Sequence, residues 1–126
     1  MKIASILQNS IRGTGAIVLI LGLVIWSGSA DFLVSLHVLL GILLVLALFA
    51  LAYLAVRAGI SLGLVSLAGA WALVLPLLGL VQENILMGVN HWVVPVLHLF
   101  LGVGAVGMAE ILAGRIKKAA ARSVHV

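Results

Sequence analysis

The stretch WVVPVLHLFLGVGAVGMAEILAGRIKK, residues 92–118, decides how this chain folds. It carries one imidazole (His98) and one carboxylate (Glu110) in an otherwise apolar run, and it ends on basic residues. A run of about 20 apolar residues is what one helical crossing of a bilayer needs. Sliding the chain along itself by 61 residues lays Leu36-His37-Val38-Leu39-Leu40-Gly41 over Leu97-His98-Leu99-Phe100-Leu101-Gly102. The shared pattern is L-H-x-x-L-G, and Arg57 and Lys118 follow their histidines at the same distance. Leucine matching leucine says little in this chain. A rare histidine repeated with a glycine four residues later says more.

Composition agrees with a chain in lipid. Of the 126 residues 65% are hydrophobic and 8% charged, far from the balance of a soluble domain. This length suits one bundle and leaves no room for a separate soluble domain. The net charge of +4 does not point to nucleic acid, because the charges sit at helix ends, where headgroups and topology account for them. There is no cysteine, which removes disulfides, iron–sulfur clusters, cysteine zinc sites and covalent c-type haem attachment.

Taken in order, Met1 to Arg12 is a polar lead with Ile3, Ile6, Leu7 and Ile11 at helical spacing. It is expected to lie on the membrane surface or to extend the first span. The four expected spans cover roughly residues 13–28, 32–56, 62–81 and 91–114. The small residues Gly28 and Ala30 before Asp31 resemble a signal-cleavage site. A bundle needs this helix, so the run is read as a retained span. Ser29 or Asp31 is placed to cap the second span and Asn90 the fourth. Pro76 should kink or end the third span, whereas Pro95 falls in the tolerant first turn of the fourth. Lys2, Arg12, Arg57, Arg115, Lys117, Lys118 and Arg122 fall on one side of a four-span chain, Asp31 and Glu83 on the other. The positive-inside bias then puts both termini in the cytoplasm of a cell (inner or plasma) membrane. The expected fold is all-α: an up-down bundle of four transmembrane helices made of two helix-pair repeats related in parallel.

The repeated histidines give the bundle its chemistry. His37 lies about six residues below the outer start of its span and His98 about seven. At 1.5 Å per residue both sit on the order of 10 Å into the membrane. An intramembrane histidine is expensive and commonly functional, though one alone can simply bond a neighbouring helix. Two at matched depth on diagonal helices can meet in the core. Zinc or copper would require further ligands, and none stands at that depth. A haem iron requires only two axial imidazoles, since the porphyrin supplies four nitrogens. The expected cofactor is therefore one non-covalent b-type haem between His37 and His98.

Gly41 and Gly102 lie one turn beyond each histidine on the same face, where a side chain would collide with a flat macrocycle. Gly15 and Gly22 of the first span, and Gly63 and Gly69 of the third, could open the walls to the porphyrin edge. Small residues also serve simply to bring helices close in lipid. His91, seven residues before His98, could hydrogen-bond a haem propionate or a quinone headgroup, or sit at the interface beside Trp92. Glu110 is expected to pair with Arg115 near the membrane surface, with a proton path as the sharper reading. His125 falls in the basic tail and carries no role.

On His37, His98 and their glycines, the chain resembles the four-helix membrane cytochromes b, and more loosely one half of the haem A synthase family. Haem A synthases carry a glutamate one turn before a span-two histidine; Leu33 or Val34 stands there in this chain. Cytochromes of the b561 and superoxide-oxidase type carry a second histidine pair near the other face, which His91 and His125 cannot supply. The resemblance thus implies a limit of one haem.

The expected function is electron transfer. A single haem near the outer face would relay electrons between the quinone pool or an outer-side partner and a larger redox complex or a second copy of the chain. No acid–base pair, nucleophile or phosphate loop accompanies it, so a subunit or relay is expected rather than an independent enzyme. The rival is a haem-free small transporter or channel. The small multidrug transporters carry a glutamate in span one, absent here, and the fluoride channels share their balanced charges, unlike this one-sided chain. A haem-handling assembly factor with the same two ligands is the third reading.

Overall fold

The computed structural model describes residues 2–123, and His125 lies outside them. Four helices run up and down: α1 (Lys2–Trp26), α2 (Val34–Arg57), α3 (Leu62–Val81) and α4 (Val93–Ser123). No strand occurs among the described residues. All four are long and apolar enough to cross a membrane. Helices are the natural choice for such sequences, because in lipid every backbone amide must find its partner inside the segment.

The connections carry the backbone irregularities. α2 ends on a Schellman motif in which Ile60 N–H donates to Ala55 C=O and Gly59 N–H to Val56 C=O, both at 3.0 Å. That geometry needs the left-handed Gly59, at φ 72°. The α1–α2 and α3–α4 connections each contain a short 3-10 turn, Asp31–Leu33 and Gln82–Asn84. No side chain caps Asp31–Leu33 or α2, so neither Ser29 nor Asp31 takes the expected role. At the start of α4 it is the Asn90 carbonyl that accepts, from Val93 N–H at 3.1 Å. The polar lead is not separate: α1 is continuous from Lys2. α3 likewise continues through Pro76 to Val81.

α1 and α3 each pack against both α2 and α4, and α2 and α4 also touch each other across the bundle. The cross-section is therefore a rhombus with the two histidine helices on its short diagonal. The buried cluster gathers Ala4 and Ile11 of α1, Leu44 to Ala55 of α2, Ala68, Ala72 and Leu75 of α3, and Ala105 to Ile116 of α4. It fills the end of the bundle that carries Lys2 and Ser123 and reaches the middle of α3. That end is called here the terminal end. Toward the opposite end only Ala30 and Val94 are buried among the described apolar residues.

One polar clamp crosses the terminal end. Arg12 pairs with Glu110, Nε to Oε1 at 2.6 Å and Nη2 to Oε2 at 2.7 Å. Gln8, 6% exposed, donates to Glu110 Oε2 at 2.6 Å and accepts from Lys117 Nζ at 2.6 Å. Glu110 thus pairs with Arg12 of α1, and not with the expected Arg115 of its own helix.

Candidate functional site

The bundle brings His37 and His98 together. Their ring centroids lie 6.2 Å apart with planes at 48°. Both residues are half-buried, and in each the Nδ1 atom is enclosed without a hydrogen-bond partner. An enclosed imidazole nitrogen left unpaired costs about 1–3 kcal/mol. Neither Nδ1 has a hydrogen bond within the chain, although the His37 ring also interacts with the Val18 backbone.

Each ring is placed by a glycine on the preceding helix. A Cβ on Gly22 of α1 would come within 3.1 Å of His37 Cε1 and 3.6 Å of its Nδ1. A Cβ on Gly79 of α3 would come within 2.9 Å of His98 Cε1 and 3.6 Å of both ring nitrogens. Both rings therefore lie flush on a neighbour's backbone. This matches the pseudo-repeat in three dimensions: odd helix supplies glycine, even helix supplies histidine. Gly22 was expected near the site as a porphyrin wall; its position beside the imidazole itself is new. Gly79 was missed.

The other expected wall glycines lie elsewhere. Gly63 and Gly69 stand 16 and 10 residues before Gly79, or roughly 24 and 15 Å along the axis of α3. They belong to the terminal end, where Gly69 faces Phe49 at 4.0 Å and Gly63 meets nothing within 4 Å. Gly15 lies in the packed cluster, where a Cβ would approach Val106 Cγ2 at 2.7 Å and Leu44 Cδ1 at 3.4 Å. Its role is helix approach. For Gly41 and Gly102, one turn beyond the histidines, no atom lies within 4 Å of an added Cβ.

A side chain packed against the buried cluster ties α3 to α4. Trp71 of α3 donates its indole N–H to the Leu101 carbonyl of α4 at 2.8 Å. Gly104 makes room for it: an added Cβ would overlap the six-membered ring. His91 does not join the pair by hydrogen bond. Its Nδ1 lies 3.2 Å from the Ile85 carbonyl, which ties the start of α4 back to the α3–α4 connection.

Among the described residues no group of three or more His, Cys, Asp or Glu side chains gathers to hold a metal ion. His37 and His98 stand as a pair of neighbouring imidazoles. Metal–imidazole bonds of about 2.0–2.1 Å, with half a ring added on each side, put two axially opposed ring centres roughly 6 Å apart. The observed separation of 6.2 Å is close to that value. Two imidazoles would suffice only for an ion that brings further ligands of its own. No family model, curated protein or solved structure matches the chain.

Proposed function

We propose that this chain is a membrane b-type cytochrome that holds one haem between His37 and His98. In this reading both termini face the cytoplasm and the histidine end lies toward the outer face. The observation that carries it is the pair itself: two imidazoles 6.2 Å apart, each with an unpartnered Nδ1, and no third protein ligand beside them. A haem bound there supplies one-electron chemistry. The chain's own residues would do the rest. His37 and His98 would hold the iron, and Gly22 and Gly79 set the orientation of their rings. Gly41 and Gly102 would leave room for the macrocycle, and the Trp71–Leu101 hydrogen bond ties α3 to α4 beside His98. A single cofactor near one face does not carry electrons across the bilayer alone. The role is a relay between quinone or an outer-side partner and a larger redox complex.

A reduced-minus-oxidised visible spectrum of the purified chain tests this directly. The expected result is a sharp low-spin b-type difference spectrum with about one haem per chain. A chain purified from haem-replete cells without bound haem would overturn the reading and leave a haem-free four-span protein.

A further inference from the structure

The terminal end carries a shallow, open cleft between α1 and α4, lined by Lys2, Ser5, Ile6 and Lys117. Its lining combines two ammonium groups with an apolar wall. Among the described residues the one ion pair is Arg12 with Glu110; the Glu110 charge also acts on Lys117, and no carboxylate pairs with Lys2. Glu110 is further engaged by Gln8, and Lys117 spends one of its three N–H donors on the Gln8 amide oxygen. Lys117 is thereby held over the cleft with donors to spare. Arg57, Arg115, Lys118 and Arg122 lie on α2 and α4 at the same end. No other acid is there, because Asp31 and Glu83 stand in the connections at the opposite end.

We propose that this cleft is a binding site for one anionic phospholipid of the surrounding leaflet. The phosphate sits between Lys2 and Lys117, and an acyl chain lies along Ile6. Charge complementarity selects an anion, and the apolar wall beside the lysines selects an amphiphile over a free ion. Basic pockets between spanning helices take anionic headgroups in this way. The proposal rests on the bundle lying in a bilayer and is independent of the histidine pair.

Native mass spectrometry of the detergent-purified full chain, titrated separately with phosphatidylglycerol, phosphatidylcholine and inorganic phosphate, tests it. One phosphatidylglycerol adduct should persist where phosphatidylcholine and inorganic phosphate leave none. Lys2→Gln and Lys117→Gln should each weaken that adduct about fivefold, by the contribution of one cation near a lipid surface. Lys118→Gln removes the same charge outside the cleft and should leave the adduct intact. Lys2 has no hydrogen bond or ion pair with Gln8 or Glu110, so its variant reads the cleft even if Lys117→Gln loosens the fold. Equal retention of phosphatidylcholine, or equal loss in Lys118→Gln, would overturn the site in favour of diffuse surface attraction. Binding of inorganic phosphate as tight as that of the lipid would overturn the lipid assignment.

Discussion

The two ends of this bundle are built differently. At the terminal end, alanine and leucine side chains from all four helices close into one buried cluster, with Leu48, Leu51, Ile11 and Leu112 fully enclosed. At the histidine end, apolar side chains such as Phe32, Leu36, Leu39 and Trp92 point outward, and burial falls to Ala30 and Val94. In lipid there is little hydrophobic drive to bring helices together, so association depends on close contact between small residues. Ala52, Ala55, Ala68, Ala72, Ala105, Ala109 and Ala113 provide it at one end only. The packed end fixes how α2 and α4 stand to each other, and the other end presents two imidazoles at the spacing that results. The packed cluster and the paired imidazoles stand toward opposite ends of the same helices.

The largest test of that division is removal of an imidazole. His37→Ala and His98→Ala should each abolish haem retention or convert the haem to a high-spin, five-coordinate form, read in the oxidised visible spectrum. Neither should unfold the chain, because neither residue belongs to the packed cluster. A low-spin spectrum that survives His37→Ala would show that the repeat has misidentified the ligands.

Leu48→Ala and Leu112→Ala attack the other end. Both side chains are fully buried, and each truncation should cost about 2–5 kcal/mol of stability. Thermal unfolding in detergent would read the loss, while the wavelength of any haem band should stay put. Should the band move as much as in a histidine variant, the two ends are not independent.

Gly41→Leu and Gly102→Leu should have an intermediate effect that separates chain from cofactor. Nothing in the chain stands within 4 Å of a Cβ at either position. The protein without haem should therefore tolerate both, and reduced haem retention would reveal a macrocycle occupying that space. Unchanged haem content in both would assign these glycines to helix packing.

Much of this was legible in the sequence, for uneven reasons. The four spans follow from run length, and the histidine pair followed from a rare residue recurring at a fixed offset. Gly79 escaped because that offset aligns the wrong positions on the odd helices. Gly22 precedes His37 by 15 residues, whereas Gly79 precedes His98 by 19, since the second connection is longer. Depth would have found it: like Gly22, Gly79 stands within about one turn of the histidine end of its helix. Glu110 was assigned to Arg115 by local spacing, yet its partner Arg12 is 98 residues away. No periodicity within one helix reveals which neighbouring helix will offer a guanidinium.

His91→Ala is the smallest expected effect and the finest probe of the histidine end. Losing the contact to the Ile85 carbonyl should loosen the α3–α4 connection without touching the ligands. The spectrum should remain low-spin, with at most a shift in reduction potential measured by redox titration. Loss of ligation in this variant would place the iron nearer the membrane surface.

The clamp at the terminal end also sets an order of events during synthesis. Gln8 and Arg12 leave the ribosome well before their partners Glu110 and Lys117. At about 5–20 residues per second, the 98 residues between Arg12 and Glu110 take roughly 5–20 s to make. Through that interval the nascent chain presents an amide and a guanidinium with no carboxylate from the chain to meet them. A premature stop before Glu110 would make the interval permanent, so α4 completes the polar pairing that α1 began.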